Sequence, residues 1–197
     1  MSKKLLLLGS SGMLGTYISQ GITKKEFEIT AAARSKNNKV DFKNPDQIIN
    51  FIDDMKPDVV LNAAAIISLD YCEQNPQEAE LVNTITPGYI SEYCNRNNIH
   101  FVHISTDHFF HNDGNTIHQE DDQVMLLNEY AKTKYAAEKL ILKNQSSLVL
   151  RTSIIGRTLR KRSFLDWVIN HFTSNHQIEL FDDSFSSFLH CSQFISD

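Results

Sequence analysis

Tyr130 and Lys134 carry the plainest suggestion of chemistry in this 197-residue chain. In Tyr130-Ala131-Lys132-Thr133-Lys134 they stand four positions apart, so on a helix they share one face. An ammonium beside a phenol stabilises phenolate and lowers the phenol pKa from its usual value of about 10, which suits proton transfer to or from a carbonyl or alcohol oxygen. Upstream, Ser105-Thr106-Asp107 closes an apolar run, and the Thr106 hydroxyl could share that oxygen. Thr106, Tyr130 and Lys134 are therefore the candidate catalytic group. Alone, the Tyr-x-x-x-Lys spacing also describes an ordinary surface pair.

A second cluster concerns phosphate. Of seven glycines in the chain, three are Gly9, Gly12 and Gly15. They follow the run Leu5 to Leu8 and precede a helix-period stretch. A strand turning tightly into a helix has use for each: one for the turn, one to admit a pyrophosphate against the backbone, and one for close helix packing. Gly9, Ser11, Gly12 and Gly15, with Met13 and Leu14 at the helix start, are the candidate dinucleotide contacts. Ser10 and Ser11 could add hydroxyl donors.

At the end of the second strand, Ala31-Ala32-Ala33-Arg34-Ser35-Lys36 offers no acid where an NAD-selective site would commonly present one to the ribose. Arg34, with Lys36 or Lys39, could instead meet a 2′-phosphate, so NADP(H) is preferred and NAD(H) stays open. Asp41-Phe42 is spaced to bring a carboxylate and a ring to the adenine. Asn62-Ala63-Ala64-Ala65, at the end of the third strand, would let a cofactor lie close to the sheet.

These residues need a frame, and the chain supplies one by alternating apolar runs with helical periods, the pattern of a parallel sheet covered by helices. Strands are predicted at Lys4 to Leu8, Glu28 to Ala33, Val59 to Asn62, His100 to Ser105 and Ser147 to Arg151. Helices are predicted at Met13 to Ile22, Pro45 to Met55, Pro76 to Asn97, Glu129 to Leu142 and Ser163 to Ser174. The fold class is α/β, a doubly wound Rossmann-type sheet with helices on both faces. Asp107 to Asn128, with Asp113-Gly114, reads as a long functional loop. Trp167, Phe164 and Val168 read as a buried helix face. After Ile178 to Phe181, the segment Asp182 to Asp197 shows no clear period.

Composition narrows the partners. With 41% hydrophobic and 22% charged residues the chain is globular, and a net charge of -5 leaves no broad basic face for nucleic acid. The leucine run is far short of the ~20 residues of a membrane span. Three widely spaced cysteines signal neither a disulfide framework nor a zinc site, which fits a reducing cytoplasm. Among the histidines, His100 starts a strand, His103 alternates with Val102 and Ile104 read as buried, and His108 and His111 lie in the long loop. They read as surface and loop residues, and no metal site is expected.

Taken together, these residues resemble the extended short-chain dehydrogenase/reductase family, on its dTDP-4-dehydrorhamnose reductase branch of nucleotide-sugar reductases. Further residues carry the resemblance: Asp70-Tyr71-Cys72-Glu73 and Asn83 after the alanines, and Arg151-Thr152-Ser153-Ile154-Ile155-Gly156. It implies that Thr106, Tyr130 and Lys134 are catalytic, with Lys134 also on the nicotinamide ribose, and that Asp107 and Arg151 meet the substrate. It implies reduction of a 4-keto nucleotide-sugar, with dTDP as the expected nucleotide, for deoxysugar and surface-polysaccharide precursors, and leaves a homodimer open. Residues 1–175 would be the NAD(P)-binding domain and 176–197 the start of a substrate lobe that is largely missing.

The departures are His108-Phe109-Phe110 where relatives read Tyr-Val-Phe, Ala131 after the tyrosine, Leu126 at a place common for proline, and Ile154 where a tryptophan is usual. An acid at the position of His108 marks nucleotide-sugar 4,6-dehydratases, so its absence disfavours that elimination. Two rival functions stand beside reduction. One is a non-catalytic dinucleotide-binding regulatory subunit. The other is a nucleotide-sugar epimerase with tightly held NAD.

Overall fold

Alternation along the first strand builds the two-faced core of this fold. In the computed structural model, β1 (Lys3–Leu8) sends Leu6 and Leu8 to one side of the sheet and Leu7 to the other, all fully buried. A strand covered on both faces carries a continuous apolar run rather than a strict alternation. The structure describes residues 2–22, 27–34, 37–110, 117–158, 163–174 and 186–196, with 177, 179 and 182.

Following β1 come α1 (Met13–Gly21), β2 (Phe27–Ala32), α2 (Pro45–Met55), β3 (Val59–Asn62), α3 (Leu69–Gln74) and α4 (Pro76–Glu80). A π-helical turn, Leu81–Ile85, leads into α5 (Thr86–Arg96), β4 (His100–Thr106), α6 (Glu129–Ile141) and β5 (Ser147–Thr152). The long strands form one parallel sheet in the order β2-β1-β3-β4-β5. The chain leaves β1 for β2 on one side and returns to β3 on the other, so a crevice opens beyond the carboxyl ends of β1 and β3, where ligands of doubly wound sheets sit. Ile48 and Ile52 of α2, Ile90 and Cys94 of α5, and Ala137 and Ile141 of α6 pack one face; Leu14 and Ile18 of α1 pack the other.

Local signals set the helix ends. The Asn44 side chain accepts from Gln47 N at 3.1 Å with Pro45 opening α2, and Asn128 accepts from Ala131 N at 2.8 Å at the start of α6. The helix predicted from Pro76 to Asn97 is α4, the π turn and α5 in continuous succession. The π turn points Asn83 inward, where its side chain accepts from Ile66 N at 2.8 Å and donates to Ile66 O at 3.0 Å and Thr133 Oγ1 at 3.3 Å. It thereby fastens the loop after β3 to α6.

Two expectations for the C-terminal part change. The segment without a clear period contains β7 (Leu189–His190), which pairs in parallel with β6 (Ile154–Ile155), followed by α8 (Cys191–Ser196). Cys191 packs under Gly156, and Ile195 fits against Gly21 of α1. These elements are short, so their periodicity is too brief to read. In α7 (Phe164–Thr173), Phe164 is 56% exposed and Trp167 and Val168 are only half-buried; the buried residue is Asp166, which closes a capping box with Ser163. Phe164 instead stacks on Trp167 and Phe188 near the surface. Asp113, Gly114, Ile178 and Phe181 lie outside the described residues. No helix among the described residues is long and apolar enough to cross a membrane.

Candidate functional site

The glycine turn forms the floor of the crevice. Gly9 has φ +81°, a left-handed conformation, and a Cβ there would lie 2.6 Å from Ala64 N and 2.7 Å from Ala63 C. Its N–H and that of Ser10 both donate to Ala32 O, tying the turn to β2. Gly15 holds α1 against the turn, since a Cβ would overlap the Gly9 carbonyl. Gly12 caps α1 without a side chain, and a Cβ there would meet only Gly9 O, at 3.3 Å. The first-turn N–H groups of α1 therefore face a cradle that a side chain would fill, and a pyrophosphate fits it. Ser11 is exposed beside it, whereas Ser10 is buried with its hydroxyl on Ala32 O. Met13 is half-buried, and the Leu14 side chain lies in the core, so only its backbone can serve a ligand.

At the end of β2, Arg34 is exposed and its charge reaches Glu78, which pairs with Lys43 at 2.8 Å. Lys39 is exposed, and Lys36 lies outside the described residues. The expected pairing of Asp41 and Phe42 at an adenine is corrected in part. Phe42 is buried in the core beneath α2, and the Asp41 carboxylate accepts from Lys43 N at 3.0 Å, which shapes the approach to that helix.

The strand ends bring the proton-transfer residues together. Thr106, at the carboxyl end of β4, stands beside the Tyr130 phenol with its Oγ1 accepting from His108 N at 3.2 Å, and the His108 ring lies edge-on to Tyr130 with centroids 6.1 Å apart. Burial raises the Tyr130 pKa; the neighbouring Thr106 hydroxyl opposes this, while Cys72 and Asp107 push it further up. Tyr130 thus carries its proton at neutral pH, as a donor to a developing alkoxide must.

Lys134 departs from the expectation that it lowers the phenol pKa. Its Nζ lies 2.7 Å from Ile104 O and 2.8 Å from His103 Nε2, fully buried. Burial brings its pKa down to about 7, against the raising effect of Glu138. His103 is also fully buried, which corrects its reading as a surface residue. Val102 and Ile104 beside it are only half-buried, because both faces of this sheet are covered and alternation alone does not choose the inner one. Asn62 is not an open cofactor contact in this state: Ala64 N donates to its Oδ1 at 3.0 Å and its amide nitrogen lies 3.1 Å from His103 Nδ1. Ala63, Ala64 and Ala65 line the crevice half-buried.

Asp107 stands half-buried beside Tyr130. Arg151, read as a substrate contact, has its guanidinium bound to Glu138 at 2.7 Å and to the Glu120 carbonyl at 2.9 Å, a structural engagement between β5, α6 and the long loop. Sequence reasoning placed His108 next to the Thr106-Asp107 pair but did not single out Cys72 or Glu138 as neighbours of the site. These two come near only through the packing of α3 and α6. The Ser105 hydroxyl is buried without a hydrogen-bond partner, next to Thr106. Among the described residues no three His, Cys, Asp or Glu side chains converge as metal ligands.

The RmlD substrate binding domain family matches residues 3–187. Among similar proteins, the probable low-salt glycan biosynthesis reductase Agl14 of Haloferax volcanii is 27% identical over 187 residues, covering 89% of this chain and 62% of that protein. A dTDP-4-dehydrorhamnose reductase of Salmonella typhimurium is 34% identical over 150 residues, 76% of this chain and 50% of the other. The chain thus spans about half to three fifths of the length of these relatives. A dTDP-4-dehydrorhamnose reductase of Bacillus anthracis, solved in complex with NADP, superposes with TM-score 0.90 at 21% identity, over 100% of this chain and 69% of that one. A Clostridium acetobutylicum counterpart gives 0.85 at 25% identity, over 98% and 68%.

Proposed function

The chain belongs to the RmlD substrate-binding-domain family, and from that premise we propose that it is the dinucleotide-binding part of an NADP(H)-dependent reductase of a 4-keto nucleotide-sugar, with dTDP as the favoured nucleotide. The observation that carries this is the placing of the Thr106 hydroxyl beside the Tyr130 phenol at the end of β4, next to a glycine cradle open to a pyrophosphate. A reduced nicotinamide, when bound, supplies a hydride to the ketone carbon. Gly9, Ser11, Gly12, Gly15 and the alanines after β3 would hold the dinucleotide. Thr106 orients the ketone oxygen, Tyr130 gives its proton to it, and Asp107 stands at the substrate side of the pair. Lys134 restores the poise of Tyr130 once it leaves His103 for the nicotinamide ribose. A non-catalytic regulatory role gives no use to a protonated phenol beside a threonine hydroxyl.

The physiological setting that goes with this reading is synthesis of deoxysugar precursors for surface polysaccharide, in the cytoplasm and as a homodimer. Cys72, Cys94 and Cys191 are all free thiols and all buried, the usual state in a reducing compartment. Calorimetric titration with NADPH and NADH, repeated with dTDP present, tests the proposal. Binding of NADPH strengthened by dTDP, followed by turnover of a dTDP-4-keto sugar, is the expected result. Failure to bind either dinucleotide overturns it.

A further inference from the structure

Hydrogen-bond direction fixes a protonation state inside the site. Ala64 N–H can only donate, so the Asn62 atom 3.0 Å from it is the amide oxygen. The Asn62 NH2 then faces His103 Nδ1 at 3.1 Å and must donate to it, which leaves Nδ1 bare. A neutral imidazole with a bare Nδ1 carries its proton on Nε2, and that nitrogen lies 2.8 Å from Lys134 Nζ. An ammonium has three donors and no acceptor, so Nε2–H against it would set donor on donor. A neutral amine accepts Nε2–H and still donates to Ile104 O at 2.7 Å. Each contact in this buried file then pairs one donor with one acceptor, running from Ala64 through Asn62, His103 and Lys134 to Ile104.

We infer that Asn62 and His103 are positioning residues that hold Lys134 as an uncharged amine, drawn to β4, in the cofactor-free chain. The charge of Lys134 becomes a function of occupancy: on leaving His103 for the ribose, the amine takes a proton from solvent and arrives as an ammonium. Burial of Lys134 agrees, since it brings the titration down to about 7. The ionisable groups that act on it are His103 on β4 and Glu138 on its own helix, whose charge is answered by Arg151 of β5; Tyr130 stands one turn earlier on the same helix. The π turn packed on this helix bonds the neighbouring Thr133 through the neutral side chains of Asn83 and Thr84. The resting state is read from the hydrogen bonds alone; the coupling to loading rests on the proposed dinucleotide site.

The test is NMR of the cofactor-free chain, following lysine 13Cε shifts against pH with Lys134→Met for assignment, and imidazole 15N shifts for the His103 tautomer. The expected wild-type result is one lysine titrating near 7 and His103 as the Nε2–H tautomer. Asn62→Asp replaces a donor by an acceptor, so it should turn His103 to Nδ1–H and move the Lys134 midpoint up by about one unit or more. An Nδ1–H tautomer in the wild type overturns the inference even where the variant does not fold, as does a midpoint that Asn62→Asp leaves in place. NADH affinity should also fall about tenfold per pH unit above the Lys134 midpoint in the wild type, and be flat in Asn62→Asp. A flat wild-type profile overturns the coupling, whereas absence of NADH binding counts against the proposed function and leaves the lysine titration to decide the resting state.

Discussion

Arg151 and Glu138 form a forked ion pair between β5 and α6, with Nη2 2.7 Å from Oε2 and Nε 3.2 Å from Oε1. The Glu138 side chain is 2% exposed. Phe109 and Phe110 flank the guanidinium, each ring centroid 5.4 Å from its carbon, and Nη1 reaches the Glu120 carbonyl. One arginine thus ties the loop after β4 to the sheet edge and to the helix that carries Tyr130.

Removing one partner of this pair leaves the other charge buried. Arg151→Ala strands the Glu138 carboxylate, 2% exposed, and should therefore destabilise the chain by about 3–5 kcal/mol in urea unfolding. Replacing both partners with apolar residues of similar volume should cost much less. Arg151 as a substrate contact alone predicts the opposite: a normal midpoint for Arg151→Ala, with only nucleotide-sugar affinity lost.

The glycine turn separates folding from binding. Gly9→Ala adds a Cβ 2.6 Å from Ala64 N at φ +81°, which should lower stability by about 1–3 kcal/mol and abolish dinucleotide binding. Gly12→Ala meets only the Gly9 carbonyl, at 3.3 Å, so its melting temperature should stay near that of the wild type. Its NADPH affinity should still fall at least tenfold by calorimetry, because the methyl occupies the pyrophosphate cradle. Unchanged NADPH affinity in Gly12→Ala would place the dinucleotide elsewhere.

Tyr130→Phe removes only the phenol oxygen. Turnover of a 4-keto nucleotide-sugar should drop by about 10²–10⁴, with NADPH affinity within twofold of the wild type. Equal turnover in the variant removes Tyr130 from proton donation.

Arg34 is exposed at the end of β2, with Glu78 and Lys43 close enough to share its field. Arg34→Ala should weaken NADPH about tenfold or more and leave NADH nearly unchanged, since only the first carries a 2′-phosphate. Equal losses for the two dinucleotides would show that Arg34 does not read that phosphate.

Much of this was legible in the sequence because it is written in local patterns. Leu5 to Leu8 with Gly9, Gly12 and Gly15 specify a strand, a tight turn and a helix, and the structure has all three. The Tyr130/Lys134 spacing likewise gave one helix, α6, and the carboxyl end of β4 brought Thr106 to the tyrosine. What sequence spacing could not convey is which way a long side chain turns. Lys134 is on the predicted helix, yet its nitrogen goes to His103 and Ile104, partners 31 and 30 residues away. Phe42 suffered the same ambiguity: beside Asp41 it suggested an adenine contact, and tertiary packing claimed the ring for the core. The parallel pairing of β6 with β7 depends on two residues per strand, too few for any period to register.

The buried amine also gives stability a pH dependence of definite sign. Lys134 titrates at about 7 in the fold and at 10.5 when unperturbed. Between these values the unfolded chain binds a proton that the folded chain does not, so stability rises with pH, by at most about 1.4 kcal/mol per unit for one group. Below 7 both forms are charged and the full cost of the buried ammonium is present. Two neighbouring effects set the window. His103 is held well below its ordinary 6.5, so it drops out above neutral pH. The buried thiols of Cys72, Cys94 and Cys191 are raised above 9.0, so they oppose the trend only in more alkaline solution. Urea unfolding from about pH 7 to 8.5 isolates the lysine. Wild type should gain stability across that range, and Lys134→Met should lose the slope while carrying a constant cost from the unpaired His103 Nε2–H. A slope that survives in Lys134→Met would assign the titration to another group.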